Sequence, residues 1–226
     1  MRGRNFVALP FALIFFVVLV LLLIILPFII GEAFRTLGFG IELTVALFFF
    51  SLLGSVINIP VHTIRTRETV TVSRTRSLLG IIYSKPEERY RIRKTTIAIN
   101  LGGALIPLLI CIYLVTTNPE LWLQFSLGVG ILTLICYVLA RPVPGVGITL
   151  PIFIPPLAAA LFAILVPGGP RTIIAYVSGV MGVLIGGDIL NLAKVSKYES
   201  KMLSIGGAGT FDGIFLTGII SVILAA

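Results

Sequence analysis

Two aspartates carry most of the chemistry this sequence offers. Asp188 and Asp212 are the only aspartates among nine acidic residues. Each lies in apolar, glycine-rich sequence: Gly182-Val-Leu-Ile-Gly186-Gly187-Asp188-Ile-Leu-Asn191, and Ser204-Ile-Gly206-Gly207-Ala-Gly209-Thr-Phe211-Asp212-Gly213. An ionisable group inside apolar sequence is costly and marks a functional site by default. Two carboxyls held a few ångströms apart cannot easily both ionise. One is then a base that activates water and the other an acid that protonates a leaving amine, the division of labour in aspartic proteolysis. The glycines leave room for an unwound strand beside the acids. The seven glutamates are dispersed, mostly in loops or near the ends of apolar runs.

The elements that must position these acids follow from the composition. Of 226 residues, 58% are hydrophobic and 12% charged, and the mean hydropathy is +1.13. Soluble domains are about 45–50% apolar and about 25% charged. Residues 11–30 contain no charge, the length needed to cross a hydrocarbon core of about 30 Å. The fold class is therefore an all-α polytopic membrane protein of about seven spans, placed near residues 7–30, 39–62, 96–116, 121–140, 149–167, 171–193 and 205–226. This divides the chain into two N-terminal helices (1–62), a basic loop (63–95) and five helices carrying the aspartates (96–226). Arg2 and Arg4 ahead of the first run suggest a signal peptide, but the run is too long for one and no small-x-small cleavage site follows, so it reads as a retained helix.

With the N-terminus in the cytoplasm, 15 of the 17 Lys and Arg fall inside and only Arg35 and Arg171 outside. That asymmetry sets the orientation in the cell membrane by the positive-inside rule, with the C-terminus outside. The high net charge of +8 then needs no acidic partner. Asp188 falls roughly 6–8 Å from the cytoplasmic face and Asp212 roughly 8–11 Å, on antiparallel neighbouring helices joined by a short connection. Gly182 with Gly186, and Gly209 with Gly213, have the spacing that lets helices approach closely.

The loop at 63–95 alternates at Thr69–Val72 and again at Tyr90–Arg93, with a turn expected at Lys85-Pro86-Glu87-Glu88, and so reads as a small cytoplasmic β-hairpin. Its nine cations suit anionic lipid headgroups. Nucleic acid is not expected as a partner, since any positive-inside loop looks basic. The fifth span carries Pro151, Pro155 and Pro156 and is expected to be broken or kinked at the protein interior, beside the site.

Other chemistries lack their residues. One histidine, His62, makes neither an HExxH zinc site nor a Cys/His cluster. No GxSxG elbow or phosphate-binding P-loop occurs. Cys111 and Cys136 sit in apolar runs and read as free buried thiols. No metal or cofactor is expected.

The run Gly209-Thr-Phe-Asp212-Gly-Ile-Phe-Leu-Thr-Gly-Ile resembles the GxGD helix of the presenilin, signal peptide peptidase and prepilin peptidase superfamily of intramembrane aspartyl proteases. The whole chain also resembles an uncharacterised family of prokaryotic, often archaeal, membrane proteins with a similar C-terminal helix. The resemblance implies that Asp188 and Asp212 are the catalytic pair, opening toward the cytoplasm. Gly186, Gly187, Gly207, Gly209, Phe211, Gly213, Pro155 and Pro156 would shape the active site, and the substrate would be a transmembrane protein. Three positions differ: Phe211 replaces the second glycine of GxGD, Gly187 stands where tyrosine precedes the first aspartate, and Pro156-Leu157-Ala158 precedes the aspartates. The rival readings are a secondary transporter or channel using the two acids with Asn58, Asn100 and Asn191, with Glu42 as an outer relay group, and a non-enzymatic assembly protein.

Overall fold

The apolar runs fold into helices, but a sheet takes one end of three of them. The computed structural model describes residues 8–78, 81–143, 147–195, 202–207 and 213–226. Helix α1 (Ala8–Thr36) is followed by α2 (Ile41–Gly54), then by strands β1 (Asn58–Leu78) and β2 (Ile81–Asn100). A π-helical turn, Leu101–Leu105, leads into α3 (Ile106–Thr117), and a short 3-10 turn opens α4 (Trp122–Leu139). A two-stranded hairpin, β3 (Arg141–Val143) and β4 (Gly147–Thr149), precedes α5 (Ile154–Leu165). Helix α6 (Arg171–Gly182) runs into a second π turn, Val183–Asp188, a 3-10 turn and the short α7 (Leu192–Val195). Strand β5 (Met202–Ile205) and α8 (Gly213–Ala225) complete the order.

The fold is therefore mostly helical with a small sheet, and among the described residues two helices, Pro119–Leu139 and Arg171–Asn191, are long and apolar enough to cross a membrane. Shorter apolar helices cover Ile41–Gly54, Leu101–Thr117, Ile154–Leu165 and Gly213–Ala225.

Helix α6 sits at the centre, packed on α4, α5 and α8. Ile174, Tyr176, Val177 and Val180 are fully buried there. The flanks are the reverse: Phe28 is 74% exposed, Trp122 65%, Val138 71% and Leu165 71%. Such apolar flanks are far outside what a soluble monomer presents to water.

Gly182 and Gly186 permit close approach, though to a different neighbour from the one their spacing suggested. An added Cβ at Gly182 would meet Leu132, and one at Gly186 would land on the Thr133 backbone carbonyl, both on α4 rather than on the last helix. Backbone cannot move aside as a side-chain tip does. Gly186→Ala is expected to destabilise the protein by about 1–3 kcal/mol, read as a lower melting temperature in detergent. Gly130→Ala, where an added Cβ meets nothing within 4 Å, is expected to be neutral or to stabilise by up to about 1 kcal/mol.

The hairpin is larger than the sequence pattern indicated. Strands β1 and β2 pair antiparallel from Asn58↔Asn100 out to Leu78↔Ile81, with one irregularity between Pro60 and His62. At about 3.3 Å per residue the ribbon is roughly 65 Å long. Residues 58–62 and 96–100, read as ends of apolar spans, are strand, and α2 ends at Gly54. Lys85–Glu88 is not a turn: it continues β2 and pairs with Arg74 through Thr71. The prolines of the fifth run do not break a helix either. Pro155 and Pro156 occupy the first turn of α5, where a missing N–H costs nothing and the fixed φ suits helix initiation. The residues before them, 150–153, are not helical.

Strand β5 joins the sheet beside β2, running parallel to it, so the sheet order is β1-β2-β5. The last apolar run is thus strand from Met202 and helix only from Gly213. Helix α7 contacts β3, and β4 contacts the second π turn, so Arg141 and Lys194 lie at the same end of the bundle as Asp188. There Lys194 sits over the Tyr137 ring, 4.2 Å from its centroid.

Candidate functional site

Asp188 is the last residue of the second π turn, and it faces the end of β5. Its Oδ2 accepts a hydrogen bond from the Gly206 backbone N–H at 3.1 Å. Gly206 directly follows β5 and has φ +70°. An added Cβ there would lie 2.6 Å from the Ala104 Cβ and 2.8 Å from the Gly103 carbonyl carbon. Glycine is therefore required twice over, for the left-handed backbone and for the close approach. The N–H that meets the carboxylate exists in that place because no side chain stands behind it.

Two buried asparagines hold the irregular turns. Asn100 precedes the first π turn: its Oδ1 accepts from the Gly103 N–H at 2.7 Å, and its Nδ2 donates to the Ser55 carbonyl at 2.6 Å and to Asn58 Oδ1 at 3.1 Å. Asn191 serves the second. The helix tightens after Asp188, and the Leu192 N–H bonds back to Ile189. Asn191 Nδ2 instead donates to the carbonyls of Gly186 and Gly187, at 2.7 and 3.2 Å. Both asparagines are fully buried, where an unbonded backbone carbonyl would be expensive. Single π turns are frequent at functional sites; here the second ends at Asp188, and the first packs against Gly206, the residue that donates to its carboxylate.

The remaining contacts complete the surroundings. The Ser204 hydroxyl donates to Asn58 Oδ1, so β5 is tied through side chains to the base of the β1–β2 ribbon. Gly207 runs past the same two residues; an added Cβ there would lie 3.0 Å from Asn58 Oδ1. Gly187 lies against the Leu150 side chain, 2.6 Å from where its own Cβ would be. Helix α4 brings the buried Cys136 within electrostatic reach of Asp188. An apolar groove of about 420 Å³ between α2 and α3, lined by Phe39, Leu43, Leu47, Phe50 and Ile110, ends at Leu101 on the first π turn. Cys111 and Cys136 are free and buried, and no group of three metal-ligating side chains occurs among the described residues.

Of the predicted site residues, the structure brings together Asp188, Gly186, Gly187 and Gly207, around Gly206. Gly209, Phe211 and Asp212 lie outside the described residues. Gly213 opens α8, where an added Cβ would meet nothing within 4 Å, and α8 contacts both α6 and the Val183–Asp188 turn. Pro155 and Pro156 are buried in the first turn of α5, which packs on α6 and α8. Sequence reasoning missed Ser204 as a side chain of the site, and with it the part played by Gly103. A signal for them is present: an aliphatic residue followed by two glycines occurs at Leu101-Gly102-Gly103, Ile185-Gly186-Gly187 and Ile205-Gly206-Gly207; the second leads into Asp188, the third donates to its carboxylate, and the first lies against the third.

A family model described as a protein of unknown function, DUF1614, matches residues 52–224. The chain belongs to the DUF1614 family. The matched span starts near the end of α2 and takes in the ribbon, both π turns, Asp188 and Asp212, leaving α1 outside. No curated protein and no solved structure matches the chain.

Proposed function

We propose that this DUF1614 protein is a multi-pass membrane protein that hydrolyses peptide bonds of transmembrane substrates near the cytoplasmic face, with Asp188 and Asp212 as its catalytic pair. The observation that carries the reading is the Asp188 carboxylate held against the end of β5 by the Gly206 N–H. In the sheet order β1-β2-β5, β5 is an edge strand. An extended peptide added along that edge gains backbone hydrogen bonds and passes the carboxylate. Asp212 immediately precedes α8, and α8 touches the turn that carries Asp188, which supports placing the two acids together.

The membrane part of the reading rests on the apolar flanks, the two helices of spanning length and the 15-to-2 distribution of cations, which puts the N-terminus and the ribbon in the cytoplasm. In hydrocarbon, irregular backbone is tolerated only inside protein, and the π turns pack against surrounding elements, the first on α2, α3 and α8 and the second on α4, α6 and α8. The groove beside α2 and α3 offers a substrate helix an apolar path that ends at the first π turn.

In the reaction, one aspartate takes a proton from water while the other, protonated, donates to the scissile carbonyl oxygen. Water oxygen bonds to the carbonyl carbon and forms a tetrahedral diol. Collapse breaks the C–N bond as a carboxyl proton passes to the departing nitrogen.

The test is to incubate the purified protein with membrane proteins from its own cell and compare the products with those of Asp188→Ala and Asp212→Ala. Both variants are expected to lose the cleavage products; an unchanged product pattern in both ends the proposal. The polar run Asn58–Asn100–Ser204, whose Ser204 lies two residues along the chain from the Gly206 N–H that meets Asp188, favours a second reading, a proton- or cation-coupled transporter. That reading predicts ion flux in vesicles that either substitution abolishes.

A further inference from the structure

We propose that Asn58 and Ser204 are positioning residues that set Asp188 through the Gly206 N–H. The inference rests on the proteolytic reading for its kinetic consequence, but not for its structural one. Asn58 is the first residue of β1 and Ser204 the third of the four in β5, far apart in sequence and joined side chain to side chain by the Ser204 hydroxyl on Asn58 Oδ1. The same oxygen accepts from Asn100 Nδ2. It is thus a two-donor hub between the ribbon base, the first π turn and β5.

The chain geometry carries the effect to the carboxylate. Gly206 follows Ser204 by two residues, and its N–H is the donor to Asp188 Oδ2. Strand β5 ends at Ile205, so the segment that presents the Gly206 N–H is held by the ladder to β2, whose register closes at Ile99↔Ile205, and by the Asn58–Ser204 bond. Loosening that bond frees the segment that presents the N–H. A misplacement of about 1 Å in a catalytic arrangement costs on the order of 100-fold in rate, and loss of a single anchor is a smaller disturbance.

The hub has a chemical requirement that separates positioning from mere packing. Oδ1 must accept two hydrogen bonds, which a carboxylate at the same place also does, and position 204 must supply a hydroxyl. Asn58→Asp and Ser204→Thr therefore keep the arrangement, whereas Asn58→Ala and Ser204→Ala break it. Asn100 is left out of the test because it also caps the first π turn and bonds Ser55, so its truncation disturbs the fold.

Two readouts are taken on the full-length protein in detergent micelles. Hydrogen exchange of the Gly206 amide is expected to speed up at least about tenfold in Asn58→Ala and Ser204→Ala, and to stay near wild type in Asn58→Asp and Ser204→Thr. The kcat for a cleaved substrate is expected to fall about tenfold in the two alanine variants with KM unchanged and to recover in Ser204→Thr; Asn58→Asp, which adds a carboxylate near the pair, is read by exchange alone. Ser204→Ala removes one oxygen only and serves as the folded control should Asn58→Ala fail to fold. Wild-type exchange at Gly206 in Ser204→Ala overturns the proposal. Exchange that responds as expected in a protein that cleaves nothing leaves the tie standing and removes the protease reading instead.

Discussion

Asp188→Asn is expected to lower cleavage by about 10²–10⁴-fold while the protein keeps its fold and its melting temperature. The size follows from losing proton transfer to or from the reacting group, which contributes about 10²–10⁴-fold on its own. The preserved fold follows from the hydrogen bond at the site. Gly206 N–H needs only an acceptor at Asp188 Oδ2, and an amide oxygen accepts as a carboxylate oxygen does. Asp188→Ala removes the acceptor as well, leaving a partly buried N–H unpaired, and should cost about 1–3 kcal/mol of stability. Turnover and thermal unfolding measured on both variants therefore separate chemistry from support. The asparagine variant loses only turnover, and the alanine variant loses both. Substantial cleavage in Asp188→Asn would remove this carboxylate from the chemistry. Asp212→Asn should match it in turnover, because an aspartic mechanism needs both groups in their separate protonation roles.

How much of this was legible in the sequence depends on which physical signal each element carries. The helical runs were, because hydropathy over long stretches such as 119–139 and 171–191 marks them whatever the helix packs against. The pairing of the last two long runs followed from the short connection between them, and α6 does pack on α8. The strand ends were not legible. Ile59 and Val61, like Ile97–Ile99, continue the apolar character of the helices they adjoin, and an apolar run of a few residues has no period that tells strand from buried helix. Strand β5 was hidden for a second reason. Met202-Leu-Ser-Ile205 is strand because β2 lies beside it, and that partner is about a hundred residues earlier in the chain.

The site shows the same division. Asp188 was identifiable because a carboxylate in apolar sequence is costly wherever it goes. What holds it is a backbone N–H, which every residue but proline possesses and which leaves no mark in a sequence. The turn expected at Lys85–Glu88 failed for a related reason. Pro86 tolerates an edge position in a two-stranded ribbon, where its missing N–H is not needed, so the local turn signature was overridden by a register running the full length of both strands.

Gly206→Ala is expected to be strongly damaging although it touches no ionisable group. With φ at +70°, an alanine pays about 1–2 kcal/mol for the left-handed conformation. Its Cβ would also sit 2.6 Å from the Ala104 Cβ and 2.7 Å from the Ala104 backbone nitrogen, an overpacking worth about 1–3 kcal/mol more. Relief is possible only by moving the end of β5 away from the first π turn, and that motion withdraws the Gly206 N–H from Asp188. Cleavage should then drop by about 100-fold or more, together with a lower melting temperature. The two causes can be separated with a second substitution. Ala104→Gly removes the nearer contact and leaves both the backbone contact and the φ strain. The double variant should therefore recover part of the stability lost by Gly206→Ala but not all of it, a non-additivity expected of residues in direct contact. Full recovery would mean that side-chain crowding alone fixes this glycine. No recovery would mean that the left-handed turn and the backbone contact decide it, and that the N–H reaches Asp188 through the turn itself.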